Sequence, residues 1–513
     1  MLLDNLPFEA QPLPGAMPIW TARVDAEQWR AACSTVREKG GRLVALWGAD
    51  YNDIGAKLAV HAALGLQTGL LVIALPLEDD RYPDLSDVFP AANRMQRAAY
   101  DLYGLRAEGA ADTRKWLRHA AWPEDVFPLR KAFSAAQTFP NGVDGYDFVE
   151  VGGEGVHEIP VGPVHAGTIE PGHFRFSIVG EGILRLEERL GYKHKGIEKR
   201  FESMTLAEGA KLAGRVSGDS TVAYAWAYAM ATESATGVVP PPRALWLRAL
   251  LLERERIGQH LWDLGFLGND AGLAFGLAQF SRLREDWLRT SSALFGHRYL
   301  MDAIVPGGVA RDIEAGGMAR IRREIGEIGE AVALLKDIYD EHAGLQDRFI
   351  GCGRVKPELA DRMGLTGLAG RASAMAWDLR VQFPTPPYDR LDVRMATHRN
   401  GDVAARVTVR FEEIAESLRL IDLILTGLPE GEILAPLGDA PENVLGIGWV
   451  EGWRGEVLIA LETGPGNRIR RLHPHDPSWQ NWPLLERAVL GNIVPDFPLI
   501  NKSFNLSYSG QDL

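Results

Sequence analysis

A chain of 513 residues with 46% hydrophobic and 24% charged residues has the composition of an ordinary globular protein, with length for two to four domains and a large core. Its formal net charge of −13 argues against nucleic-acid binding, and no apolar run approaches the ~18 residues of a membrane span. Two cysteines, Cys33 and Cys352, cannot make a disulfide framework or a thiolate cluster, and each reads as a small buried apolar side chain.

In chain order, residues 1–135 alternate helix and strand signals. The N-terminal Met1-Leu2-Leu3-Asp4 lacks the basic stretch of a signal peptide, so a cytoplasmic chain is expected. Residues 25–39 read as a helix closed by Gly40-Gly41, and residues 42–47 and 70–75 as strands. A polar turn (Arg81-Tyr82-Pro83-Asp84), an amphipathic stretch ending Arg97-Ala98-Ala99-Tyr100-Asp101-Leu102-Tyr103-Gly104-Leu105 and a Trp/Pro segment through Leu129-Arg130-Lys131 follow. Residues 136–148, with Gln137, Asn141, Gly142 and Gly145, are turn-rich and read as a linker. Residues 149–151 and 158–161 are expected as strands, and 181–189 as a strand pair. From Ser203 to about residue 425 the pattern is helical: Leu247, Leu250, Leu251, Ile257, Leu261 and Leu264 recur mostly at steps of three or four. Pro240-Pro241-Pro242 marks the start of that helix and Gly268-Asn269 its end. Val407, Phe411, Ile414, Leu418 and Ile421 repeat the pattern, so a helical bundle is expected. Strands return after Ile433, and a last helix is expected over residues 483–490. The fold class is therefore α+β: a small N-terminal α/β domain (1–135), a linker (136–148), and a mainly helical bundle with flanking β-sheet segments (149–513).

The Arg97-to-Leu105 and Pro128-Leu129-Arg130-Lys131 elements resemble, in order, those of the 30-kDa-type subunit of respiratory complex I, although the usual Glu of the first is missing. Residues 150–513 resemble the 49-kDa-type subunit of complex I and the large subunit of membrane-bound, formate-hydrogenlyase-type nickel–iron hydrogenases. The motifs that carry this are Gly162-Pro163-x-His165, Gly172-His173, His194-Lys195-Gly196-Ile197-Glu198-Lys199, Arg215-Val216, Glu253-x-x-Arg256-Ile257-x-x-His260-Leu261, Pro306-Gly307-Gly308-Val309, Pro387-Tyr388-Asp389 and Arg454-Gly455-Glu456.

That resemblance implies a peripheral subunit of a complex-I-like assembly on the cytoplasmic face of the inner membrane. Its implied partners are a small iron–sulfur subunit, antiporter-like and quinone-site membrane subunits, and other hydrophilic subunits of the complex-I type. The two Cys-x-x-Cys pairs that hold the bimetal centre in hydrogenases fall here on Ser217, Ser220, Ser507 and Gly510. Nickel and iron need soft thiolates, whereas a serine hydroxyl is a hard, weakly acidic donor and glycine offers nothing. The chain also closes on Gln511-Asp512-Leu513 without the His-bearing extension that hydrogenases trim. The expectation is no hydrogenase activity, no cofactor bound by this chain, and a polar hole at the former metal site.

In complex I the same place is the inner end of the quinone pocket, which implies quinone as substrate and an iron–sulfur cluster in the partner. The family's headgroup histidine falls on His173, with His165 in reserve; Asp219 and Tyr508 are further candidates, while the tyrosine and aspartate used by complex I are missing at Ser217-Gly218. A structural role for His173, and polar filling for Ser217 and Ser220, remain alternatives. Glu198 takes the place of a glutamate beside a magnesium site, or is a salt-bridge residue at a helix entry. Glu253, Arg256 and His260 share one helix face within about 60°. They form either a buried ion-pair row facing the iron–sulfur subunit or, with Arg248, Glu255 and Asp263, a solvated face. The leading functional expectation is electron transfer from that subunit to a quinone or other acceptor, coupled to ion movement; the alternative is a redox-silent scaffold. No strand–Gly-x-Gly-x-x-Gly–helix unit supports nicotinamide binding.

Overall fold

A computed structural model describes residues 6–513 apart from Asn141, Thr168 and Ser203. The expectations for residues 1–4, for Asn141 in the linker and for Ser203 at the start of the helical stretch lie outside the described residues.

The chain folds as α+β. Near the N-terminus a five-stranded sheet runs in the order Gln11–Pro12, Ile19–Arg23, Gly69–Pro76, Leu58–Leu66, Arg42–Asp50, with only the Ile19–Arg23/Gly69–Pro76 pair parallel. The helix Ala26–Glu38 covers it and starts where the sequence placed it: Asp25 accepts from Gln28 N at 2.8 Å while the Gln28 side chain accepts from Asp25 N at 3.1 Å, a reciprocal cap. A second sheet is the antiparallel set Gly182–Arg189, His173–Val179, Val156–Val161, and a third is Leu445–Glu451, Glu456–Gly464, Arg468–His475.

The long helices Thr221–Thr236, Pro242–Asp270, Ala274–Phe295, Ala315–Glu341 and Val403–Gly427 pack against one another, and the first of them lies on the third sheet. Pro242–Asp270 is central, and its burial extends round the cylinder to Arg248, Glu253, Arg254, Glu255, Arg256 and Asp263. One hydrophobic cluster runs from Trp29 and Leu71 in the N-terminal sheet to Leu484 and Phe504 near the C-terminus.

Three local expectations are corrected. Residues 149–151 form no strand, because Val149 N donates to the Glu187 carboxylate at 2.9 Å rather than to a neighbouring backbone. Residues 181–189 supply one strand, not a pair. The last long helix spans Ser478–Ala488, so Pro483 lies inside it rather than opening it.

Candidate functional site

The two ends of the expected cradle come together. Ser217 to Ser220 lie in the turn between helices Leu206–Ala213 and Thr221–Thr236. At the other end of the chain, helix Phe497–Phe504 stops at Asn505, whose left-handed φ of 45° turns the backbone into the short helix Tyr508–Asp512. Ser507 caps that helix by accepting from Gly510 N at 2.8 Å. The tail is pinned by Trp482 Nε1 on the Ser507 carbonyl (3.1 Å), by Gly191 N and Lys193 N on the Asp512 carboxylate (2.9 and 2.8 Å), and by Lys195 N on the Leu513 carbonyl (2.7 Å). The result is a Ser217 Oγ–Ser507 Oγ hydrogen bond of 2.8 Å across 290 residues of sequence.

The expected hole is closed. At hydrogen-bond distance, the two serine oxygens leave no room between them for an ion or a headgroup. Ser217 also donates to Asp219 Oδ1 (2.7 Å). The Arg454 guanidinium holds Asp219 at 2.5 and 3.2 Å, donates to Ser220 Oγ at 3.3 Å, and reaches the Asn505 carbonyl. Where the fourth thiol would project from Gly510, a Cβ would stand 2.3 Å from Asp476 Oδ2. Asp476 is fixed there by the Tyr224 hydroxyl and by Ser478 N, each at 2.9 Å. Burial works to raise the Asp219 carboxyl, but Arg454 and the Ser217 hydroxyl outweigh it and hold Asp219 below the usual range. At Asp476 burial wins over the same guanidinium and the pKa is raised. Asp219 thus pairs with an arginine.

The candidate histidines separate. His165 Nε2 lies 3.4 Å from the Tyr508 hydroxyl. His173 opens a strand with both ring nitrogens engaged: Nδ1 with the Gly162 carbonyl (3.3 Å), and Nε2 accepting from Arg175 Nε (3.4 Å). Burial lowers the pKa of both imidazoles, so they are neutral near pH 7. His173 lines a cleft of about 1050 Å³ together with Arg175, His119, His194, Tyr146 and Phe148. Tyr146 and Phe148 escaped the sequence reading. They sit at the edge of a segment that looks like a plain linker, although two aromatic residues so close to its end are a signal for a packed wall.

The Glu253–Arg256–His260 row is neither a solvated face nor a surface for a partner, because all three residues have 0% exposure in the isolated chain. Glu253 accepts from Arg380 (3.0 and 3.1 Å), Tyr388 (2.6 Å) and Ser417 (2.6 Å); Arg256 reaches the Glu451 and Gly452 carbonyls; His260 meets Glu413 at 2.8 Å. Arg248, Glu255 and Asp263 are buried too. Side chains from residues 371–451 complete this network, and nothing in the helix's own periodicity announces them. Glu198 takes the salt-bridge role, accepting from Arg471 Nη2 at 2.6 Å and His473 Nδ1 at 2.8 Å. Burial opposes its ionisation, yet Arg471 and His473 draw its pKa down to about 2. Among the described residues no group of three or more His, Cys, Asp and Glu side chains could hold a metal ion.

Glu255 gives a pH prediction. Its carboxyl accepts from Val222 N and Ala223 N (2.7 and 3.2 Å), free donors at the start of helix Thr221–Thr236 next to Ser220. Burial nevertheless pushes it up to about 8. A carboxyl with a raised folded pKa binds more protons folded than unfolded. Its contribution is full below about 4.5 and is lost as pH rises to about 8. Urea titrations at pH 5 and pH 8.5 are expected to show a smaller loss of stability for Glu255→Gln than for the parent chain; equal losses refute the assignment.

Known proteins share this architecture. Residues 22–139 match the family model of the respiratory-chain NADH dehydrogenase 30 Kd subunit, and residues 270–442 that of the 49 Kd subunit. Formate hydrogenlyase subunit 5 of Escherichia coli K12 is 32% identical over 93% of this chain and 85% of its own length. The fused C/D-type component of the NADH-quinone oxidoreductase of Phocaeicola vulgatus is 30% identical over 82% of this chain and 85% of its own. A chain in the solved structure of the membrane-bound sulfane sulfur reductase, an archaeal respiratory membrane complex, superposes with a TM-score of 0.66 at 25% identity. The match covers 70% of this chain and 99% of that one.

Proposed function

The chain belongs to the family of fused 30-kDa- and 49-kDa-type subunits of complex-I-like membrane respiratory complexes, and from that premise we propose that it passes electrons from a partner iron–sulfur subunit to a quinone-type acceptor, with no hydrogenase activity. The closed cradle carries the hydrogenase half of this reading, with Ser217 bonded to Ser507 and Asp476 standing where a Gly510 side chain would go, while the Tyr508–His165 pair carries the electron-acceptor half. Nickel and iron find neither thiolates nor space among these residues. Among the described residues no helix is long and apolar enough to cross a membrane. The place proposed for the chain is peripheral, on the cytoplasmic side and joined to antiporter-like membrane subunits, by analogy with its relatives.

Reduction of a quinone consumes two electrons from the partner's cluster and two protons. Tyr508 and His165 form the donor pair best suited to it: a phenol kept protonated by burial, in reach of a neutral, partly exposed imidazole that can hand a proton on. His173 serves the wall of the Tyr146–Phe148 cleft. The second reading, a redox-silent scaffold that couples partners to the membrane arm, is favoured by the same closure of the cradle.

The assembled complex separates the two. Turnover with a soluble quinone, and with a sulfane sulfur donor because of the sulfane sulfur reductase relative, is expected to fall at least tenfold in Tyr508→Phe and in His165→Gln, with assembly intact. His173→Ala is expected to lose acceptor reduction through collapse of the Gly162 loop it holds. Unchanged turnover in all three variants makes the subunit a scaffold. Elemental analysis finding one nickel per chain overturns the reading of the cradle altogether.

A further inference from the structure

Away from the cradle and the acceptor loop, Glu198 and His473 make a carboxylate–imidazole pair that the proposed function does not use. The sequence shows only a His-x-His run, His473-Pro474-His475, at the end of a strand. In the fold, strand Arg468–His475 brings His473 over Glu198 and against Trp47 of the N-terminal sheet. Trp47 is stacked between His473 and His61, 5.2 Å from each ring, which fixes the plane of the His473 imidazole. Glu198 is a carboxylate held by Arg471, so His473 Nδ1 carries the proton and donates to it. Nε2 is left as a bare acceptor, and it is buried without a partner.

The same is true of the Tyr103 hydroxyl, at the end of helix Ala92–Tyr103. Both residues line one small cavity of about 20 Å³, with Glu198, Arg471, His475 and Trp47 on its other walls. An unpaired buried imidazole nitrogen and an unpaired buried phenol are each unfavourable, because neither recovers the hydrogen bond it gave up to solvent. A water needs roughly 10–15 Å³ of such volume and two or more polar partners.

We propose that one ordered water occupies this cavity, donating to His473 Nε2 and accepting from the Tyr103 hydroxyl, so that Glu198, His473, the water and Tyr103 form a hydrogen-bonded relay across the junction of the N-terminal and C-terminal sheets. Glu198 is the positioning residue: its carboxylate fixes the tautomer, so that Nε2 faces the water as an acceptor, and it offsets part of the burial that disfavours protonation of His473. The charged and titratable groups that face His473 are Glu198, which favours that protonation, Arg471, which opposes it, and His61, His475 and Tyr103, all neutral near pH 7. The relay is independent of where the electron acceptor binds.

A crystal structure of the full chain at a resolution that shows water is expected to place one water within hydrogen-bond reach of both His473 Nε2 and Tyr103 Oη. An empty cavity, or a water touching neither atom, overturns the proposal. In the ¹⁵N-histidine-labelled chain, long-range ¹H–¹⁵N spectra are expected to show His473 protonated on Nδ1, with a titration midpoint at least tenfold higher in proton affinity than in Glu198→Gln. A proton on Nε2, or equal midpoints, overturns it as well. Should Glu198→Gln fail to fold, Tyr103→Phe decides: the water is expected to disappear with the hydroxyl, and a water that persists removes Tyr103 from the relay.

Discussion

Gly510→Ala is expected to destabilise the full chain by roughly 2–3 kcal/mol, read as a fall in the urea midpoint at unchanged slope. The added Cβ would lie 2.3 Å from Asp476 Oδ2, 2.7 Å from its Cγ and 2.9 Å from Ser507 Oγ. Neither neighbour can withdraw cheaply. Asp476 is tied to Tyr224 and Ser478, and Ser507 is tied to Ser217 and to the Gly510 amide itself. A cysteine is larger still, so restoring a thiol at this one position breaks the packing without rebuilding a metal site. The penalty should shrink by about 1 kcal/mol or more in an Asp476→Ala background, because the two sites are in contact and their effects do not add. If Gly510→Ala costs the same with and without Asp476, then Asp476 is not what closed the cradle.

Glu253→Ala should cost more, roughly 3–5 kcal/mol, the usual consequence of removing one member of a fully buried ionic network. Four carboxylates (Glu253, Asp378, Glu413, Glu451) face three guanidiniums (Arg256, Arg371, Arg380) in that network. The extra negative charge is relieved at Glu451, whose pKa burial and neighbouring Asp378 raise to about 7. Truncating Glu253 leaves Arg380 and Arg256 short of a counter-charge and takes the acceptor from the Tyr388 and Ser417 hydroxyls. Glu253→Gln keeps an acceptor for the hydroxyls while losing the charge, and should fall between parent and alanine. The exposed pair Arg289–Glu285 is the internal control, where solvent screening should leave no measurable cost on truncation. An alanine variant within about 1 kcal/mol of the parent would mean the buried network is not what organises this helix.

Much of this architecture was legible in advance, for local reasons. The helix starts at Asp25 and Pro242 were readable because capping side chains and proline act on the turn next to them. Long helices and strand runs were readable because burial of one face imposes a period. The Pro483 error has a local cause too: proline is favoured in a first helical turn, yet here the helix is already under way, carried by the buried Trp479 and Trp482. The Glu253 row posed a different problem. Its spacing placed three polar groups on one face, but a polar face looks the same in sequence whether it meets water or other charges.

By itself, then, the amino-acid order determined the element types and the family resemblance, and that resemblance puts the four expected ligand positions on Ser217, Ser220, Ser507 and Gly510, none of them a thiol. Whether those positions enclose an opening was settled only by tertiary structure. The groups that occupy the space, Arg454 and Asp476, come from the third sheet and its exit, more than 230 residues beyond Ser217, and the Ser507 hydroxyl arrives from the tail. Periodicity and capping report on neighbours a turn or two away, whereas the filling of a cavity depends on which distant side chains are brought to its walls and how closely they pack.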